Sequence, residues 1–227
     1  DILLNSEGTT TSLRKVLGEK FKYSDYVNPK AFLDRLYFKT FGGSHRVALS
    51  GVARTFQNIR LFRELTVIEN LLVAQHTHLD RNLLRGMFRT KRYRESERKA
   101  LETAYYWLDV VNLTEDANRL AGELPYGNQR RLEIARAMCI APKLVCLDEP
   151  AAGLNPRETA DLSLLIHKLR HEHQVTVLLI EHDMGLVMGI SDHIVVLDYG
   201  QVIASGTPKE IETNPKVLAA YLGSEDE

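Results

Sequence analysis

The chain has 227 residues, 44% hydrophobic and 26% charged, with 29 Lys and Arg against 30 Asp and Glu and a formal net charge of −1. Such a chain can bury a core as one domain or a domain with a subdomain, and its charge gives no global pull toward nucleic acid or an anionic membrane. No apolar run approaches the roughly 20 residues that span a bilayer; the two cysteines, Cys139 and Cys146, sit in apolar runs and read as core residues of a reducing compartment, neither disulfide pair nor metal ligands.

The opening, DILLN, reads as a short strand, and LRKVLGEKFKYSDYVNPKAFLDRLYFKTFGG as a polar segment with helical pieces. The start has no signal-peptide pattern and no Met, from which we expect a chain that begins mid-protein. TVIENLLVAQH follows a Thr66 N-cap with Glu69 three residues on, a capping-box pattern. RESERKALETAYYWLDVVNL predicts a helix with Leu101, Ala104, Tyr105, Leu108 and Val111 on its inner face. Between these helices a basic stretch, residues 81–94, reads either as a solvated connection or as a docking surface.

Beyond residue 120 helices alternate with strands. NQRRLEIARAMCIA is a helix, KLVCLD a strand, ETADLSLLIHKLRHE a helix with Leu162, Leu165, Ile166 and Leu169 inward, and VTVLLIEHD a second strand. Unbroken apolar strands between helices predict a parallel sheet buried on both faces. HIVVLDYGQVIASG predicts a hairpin turning at Tyr199-Gly200, and TPKEIETNPKVLAAYLG two short helices.

Parallel sheets bind ligands at the carboxyl ends of their strands. The two strands deliver Asp148 and Glu149, and Glu181, His182 and Asp183, to that edge. Acids and an imidazole converging there could hold a divalent metal and activate a water, although one such acid alone is more often an N-cap or half of a salt bridge.

Five segments, in order and at the right spacing, resemble the ATP-binding subunits of ABC transporters. LVCLDEP resembles a Walker B motif with its catalytic glutamate, AAGLNP the D-loop, LLIEHD the switch-histidine strand, ELPYGNQRRLEIARAM the signature segment and ARTFQNIRLF the Q-loop. The ATPase of branched-chain amino acid importers is the family most similar, from about residue 45 to about residue 223. The resemblance implies an α/β ABC-ATPase nucleotide-binding domain: a P-loop NTPase-like parallel sheet, a helical subdomain and a C-terminal hairpin. Residues 1–57 would be the remnant of the N-terminal lobe ending in the Q-loop, 58–122 the helical subdomain, and 123–227 the signature, Walker B, D-loop and switch-histidine lobe.

The resemblance further implies that Asp148 holds Mg²⁺, that Glu149 polarises the attacking water, that His182 contacts the γ-phosphate and that Gln57 contacts the metal or the lytic water. Tyr126, Gly127, Asn128 and Gln129 of the signature, and Gly153 and Asn155 of the D-loop, would bind ATP, the signature in trans across a dimer of ATPase subunits. The implied setting is the cytoplasmic face of the inner membrane, on a transmembrane permease served by a periplasmic substrate-binding protein, with no nucleic-acid partner. A related ATPase with other cargo, such as lipopolysaccharide export, is an alternative.

Two departures stand out. LPYGNQ replaces the general Leu-Ser-Gly-Gly-Gln, so Pro125 removes a hydroxyl and a backbone donor and Asn128 shortens an amide. The chain also contains no Gly-Lys dipeptide, and hence no G-x-x-x-x-G-K-[ST] loop to cradle phosphates. We therefore expect an N-terminally truncated domain, inactive by itself, or else a catalytically silent docking subunit.

Overall fold

The computed structural model of the chain describes residues 48, 50–77, 87–88 and 90–222. The expected DILLN strand, the polar segment that follows it and part of the basic stretch lie outside these residues. Residues 44–182 and 183–227, the latter grouped with 1–43, form two compact units.

In the first unit three strands, β1 (Val52–Arg54), β2 (Leu144–Asp148) and β3 (Thr176–Ile180), form a parallel sheet in the order β1-β2-β3, with Ala53, Val145 and Val177 in register. The central strand is buried through Val145, Cys146 and Leu147, as its unbroken apolar run predicts. In contrast, β3 departs from the expectation of burial on both faces. It lies at one side of the described sheet, and Leu178 and Ile180, two residues apart on one face, are exposed.

Helices α1 (Val67–Ala74), α2 (Lys91–Val110) and α3 (Tyr126–Met138) pack on one another. Thr66 and Glu69 form the expected capping box: Glu69 N donates to Thr66 Oγ1 (3.3 Å), and Thr66 N donates to Glu69 Oε2 (2.8 Å). Donation to the Glu69 carboxylate from Thr66 N, and then from Thr66 Oγ1 (2.8 Å), holds it below its ordinary range. On α2 the expected inner face is corrected. Ala104, Leu108 and Val111 are buried, but Leu101 and Tyr105 are exposed and Ala100 and Trp107 take their place. Residues 100, 104, 107, 108 and 111 centre on one helix face, whereas 101 and 105 lie on its flank, roughly 75° and 115° from that centre.

Helix α4 (Pro156–His171) buries Leu162, Leu165, Ile166 and Leu169, as its periodicity predicts. Beyond its end His173 packs against the lone tryptophan, Trp107, with ring centroids 4.7 Å apart. Burial lowers the His173 pKa below the ordinary value of about 6.5. The unfolded chain therefore takes up this proton first, and the contribution of neutral His173 to stability is lost as pH falls from about 6.5 through the lower folded value. Imidazolium quenches indole, so Trp107 emission should fall on acidification with a midpoint below about 6.5; His173→Gln should flatten that titration, and an unchanged titration would place the quencher elsewhere.

In the second unit, α5 (Met184–Ile190) precedes a hairpin of β4 (Ile194–Asp198) and β5 (Gln201–Gly206), then α6 (Pro208–Glu212) and α7 (Pro215–Leu222). Ile194, Ala204, Ile211 and Val217 form its core. The hairpin turns where predicted, with Tyr199 and Gly200 both at positive φ (43° and 78°), the geometry of a two-residue turn matched to strand twist. Cys139 and Cys146 are both free and buried; burial pushes the Cys139 thiol up to about 12 and raises that of Cys146.

Candidate functional site

The carboxyl end of β2 carries the site. Asp148 closes the strand, and Glu149 follows at φ 43°, a left-handed conformation that costs a non-glycine residue on the order of 1–3 kcal/mol. The surrounding backbone holds it there: Glu149 N–H donates to the Ile180 carbonyl (2.9 Å), and the Glu149 carbonyl accepts from Ala152 N (3.2 Å). The kink turns the Glu149 carboxylate toward the loop after β1, where Gln57 Nε2 donates to Glu149 Oε2 at 2.7 Å. Arg54, the last residue of β1, pairs with Asp148 Oδ2 at 2.9 Å. Two residues assigned from separate motifs, Gln57 and Glu149, thus meet directly.

The residues delivered by β3 take divided roles. The Glu181 side chain is 1% exposed; its Oε1 accepts from Ala151 N (2.8 Å) and its Oε2 from His182 N (3.1 Å). Glu181 therefore anchors the loop after Glu149, not a metal. Asp183 caps α5 by accepting from Leu186 N (3.1 Å), the common role of a lone acid. The His182 ring is 75% exposed, with Nδ1 3.7 Å from Glu181 Oε2.

Each signature residue has an intrachain setting. Pro125 occupies the N-cap of α3 with no side-chain cap. Asn128 Oδ1 accepts from Arg131 (2.7 Å), and Gln129 Nε2 donates to the Leu124 carbonyl (2.8 Å). A Cβ on Gly127 would collide with the Glu158 carboxylate, and one on Gly153, at φ 77°, would lie 3.3 Å from the Tyr126 ring. Asn155 caps α4, its Oδ1 accepting from Arg157 N and Glu158 N (both 3.0 Å) while Glu158 accepts from Asn155 N. Signature and D-loop thus pack within the chain, Tyr126 on Gly153 and Gly127 on Glu158. Among the described residues no hydrogen bond joins the signature to Asp148 or Glu149.

Sequence reasoning missed a buried pair on α3. The Arg130 and Glu133 side chains, 1% and 2% exposed, bond to each other at 3.0 Å. Arg130 donates to the carbonyls of Phe56 and Gln57 (both 2.8 Å), and Glu133 accepts from Arg60 N (3.2 Å). The available signal was an arginine and a glutamate three apart among Leu132, Ile134 and Ala135, on a helix that has to bury that face.

Among the described residues no three His, Cys, Asp or Glu gather as a metal cage. A magnesium ion that draws most of its ligands from phosphates and water asks the protein for one or two carboxylates, a kind of group Asp148 supplies at the strand end, while the Gln57 amide bonds to Glu149.

A scan against family models matches residues 5–152 to the ABC transporter family and residues 201–227 to the branched-chain amino acid ATP-binding cassette transporter family. The chain is 57% identical over 221 residues to a high-affinity branched-chain amino acid transport ATP-binding protein, BraF, of Pseudomonas aeruginosa, covering 96% of this chain and 84% of that one. It is 56% identical over 178 residues to LivG of Escherichia coli, of the same description, covering 78% and 70%. Among solved structures it is similar to an ATP-binding cassette of an ABC transporter in its ADP conformation, with TM-score 0.63 and 33% identity over 78% of this chain and 70% of that one.

Proposed function

Because the chain belongs to the ABC transporter family, we propose that it is the ATP-hydrolysing subunit of an importer for branched-chain amino acids. The observation that carries the chemistry is the 2.7 Å bond from Gln57 to Glu149 at the strand end marked by Asp148. The names of its relatives support branched-chain cargo over lipopolysaccharide export.

Phosphoryl transfer to water asks the protein for positioning and charge, with little covalent chemistry. Glu149 is the group that polarises the attacking water, and Gln57 orients its carboxylate. Asp148 would hold Mg²⁺, directly or through its water, and the ion would supply neutralisation of phosphate charge. His182, on an exposed ring at the same edge, reaches the γ-phosphate. The N-terminus of α3 at Gly127 presents backbone donors and a helix dipole to the nucleotide of a second subunit. Pro125 withholds one hydroxyl and one N–H from that contact.

No helix among the described residues is long and apolar enough to cross a membrane. In the reading proposed here, the subunit attaches to permease subunits at the cytoplasmic face, with a periplasmic binding protein delivering cargo. Met87 and Phe88, 70% and 72% exposed, are apolar surface of the kind that receives a coupling helix; Leu83 and Leu84 of the same stretch lie outside the described residues. The test is reconstitution with a branched-chain permease pair, using a chain that carries an intact phosphate loop. Leucine uptake into vesicles should require ATP, and a photocrosslinker at Phe88 should capture the permease. ATP hydrolysis without leucine uptake would overturn the cargo assignment.

A further inference from the structure

We propose that Arg130 and Glu133 are positioning residues that fasten the Gln57 loop to the signature helix α3, so that α3 sets where the Gln57 amide meets Glu149. The inference rests on the ATPase reading for its meaning but on geometry for its existence.

Residues 56–60 form no regular structure, and Phe56, Gln57, Asn58 and Arg60 are exposed. A loop of this kind does not fix its own backbone; something outside it has to. The sheet's hold ends one residue earlier, where buried Thr55 donates its N–H to the Cys146 carbonyl (2.9 Å). From the next residue on, the hold passes to α3. Arg130 Nη1 donates to the Phe56 carbonyl and Nη2 to the Gln57 carbonyl, each at 2.8 Å. Nη1 also meets Glu133 Oε2 (3.0 Å) and Nη2 the Tyr126 hydroxyl (3.3 Å), so both ends of the fork are used. Glu133 Oε1 accepts from Arg60 N (3.2 Å), closing the loop at its far side. Outside, the Arg60 guanidinium lies 4.2 Å over the Phe56 ring.

A buried ion pair is a poor source of stability, because desolvating both charges offsets their attraction, but it fixes register well. Here it fixes the register of a loop against a helix more than 70 positions away in sequence. The planar, two-pronged arginine suits two adjacent carbonyls in a way that a lysine cannot. The joint between the sheet and the α3-bound loop therefore falls between Thr55 and Phe56. Gln57 travels with α3, while Glu149 stays with β2.

Two variants of the 227-residue chain test the assignment by amide exchange. Arg130→Met with Glu133→Leu removes both charges while filling the space, and Arg130→Lys keeps a cation without the fork. In the double variant, exchange at the Arg60 amide, which donates to Glu133, should rise on the order of ten-fold or more while amides of β2 stay protected, and Arg130→Lys should raise it less. Parent-like exchange at Arg60 in the folded double variant would overturn the clamp. In the reconstituted transporter the same variants should lower kcat for ATP hydrolysis more than they change KM, since no residue assigned to ATP binding is replaced. An unaltered kcat would overturn the positioning role. If the parent transporter itself did not hydrolyse ATP, the ATPase reading would fail while the exchange result still decided the clamp.

Discussion

Glu149→Gln, in a chain that carries an intact phosphate loop, is expected to lower ATP turnover on the order of 10²-fold or more while leaving ATP binding intact. The substitution is nearly isosteric, and its side-chain oxygen can still accept from Gln57 Nε2, so the contact now at 2.7 Å need not be lost. The backbone is unchanged as well, because the left-handed conformation at φ 43° is held by main-chain bonds to Ile180 and Ala152. What disappears is the negative charge that the proposed mechanism sets beside the attacking water. Nucleotide should then stay bound, and a dimer closed on ATP should accumulate on size-exclusion chromatography. Hydrolysis at the parent rate would move water activation to another group. A parallel loss of ATP affinity would instead make Glu149 part of the binding surface. Gln57→Ala provides the complementary measurement: it leaves the carboxylate in place but removes its 2.7 Å partner, and a smaller fall in kcat is expected.

The elements that carry this edge were legible because their signals are local. An apolar run ending at Asp148 and Thr66 followed three residues later by Glu69 are short-range patterns, and the structure has the strand and the capping box, whereas the partners of Asp148 and Glu149, Arg54 and Gln57, lie 94 and 92 positions away. The hairpin at Tyr199-Gly200 and the inner face of α4 were legible for the same reason. The inner face of α2 was half right because Leu101 and Tyr105 look more apolar than Ala100, while packing against α1 and α3 selects the row of small residues and Trp107. Arg130, Glu133 and Glu181 were not assigned their settings from sequence, since their partners lie 73, 73 and 30 positions away and only tertiary folding supplies them. Gly127 illustrates a mixed case. Its place in the signature was evident, but the carboxylate of Glu158 that fills the space beside it belongs to the D-loop helix, which only the fold brings there.

Glu181→Ala should cost about 3 kcal/mol of stability and lower Tm on the order of 10 °C, a large effect for a residue beside a catalytic edge. The side chain is 1% exposed, and both oxygens serve backbone donors, Ala151 N at 2.8 Å and His182 N at 3.1 Å. Truncation leaves two N–H groups without their acceptor and a void where a carboxylate stood, and neither loss is offset by a new contact. Glu181→Gln keeps the shape and one acceptor but turns an amide NH₂ toward the other donor, so a loss of about 1–2 kcal/mol is expected. The two donors flank the site: Ala151 begins the turn that carries Gly153, and His182 bears the exposed imidazole. Loosening them together should therefore lower ATP turnover more than ATP binding in the reconstituted transporter, and Glu181→Gln should recover part of both stability and turnover. A Glu181→Ala variant with the parent Tm would show that these N–H groups find other acceptors. A variant destabilised as expected but turning over at the parent rate would make Glu181 a folding residue only, and would separate the position of the D-loop from the chemistry at Glu149.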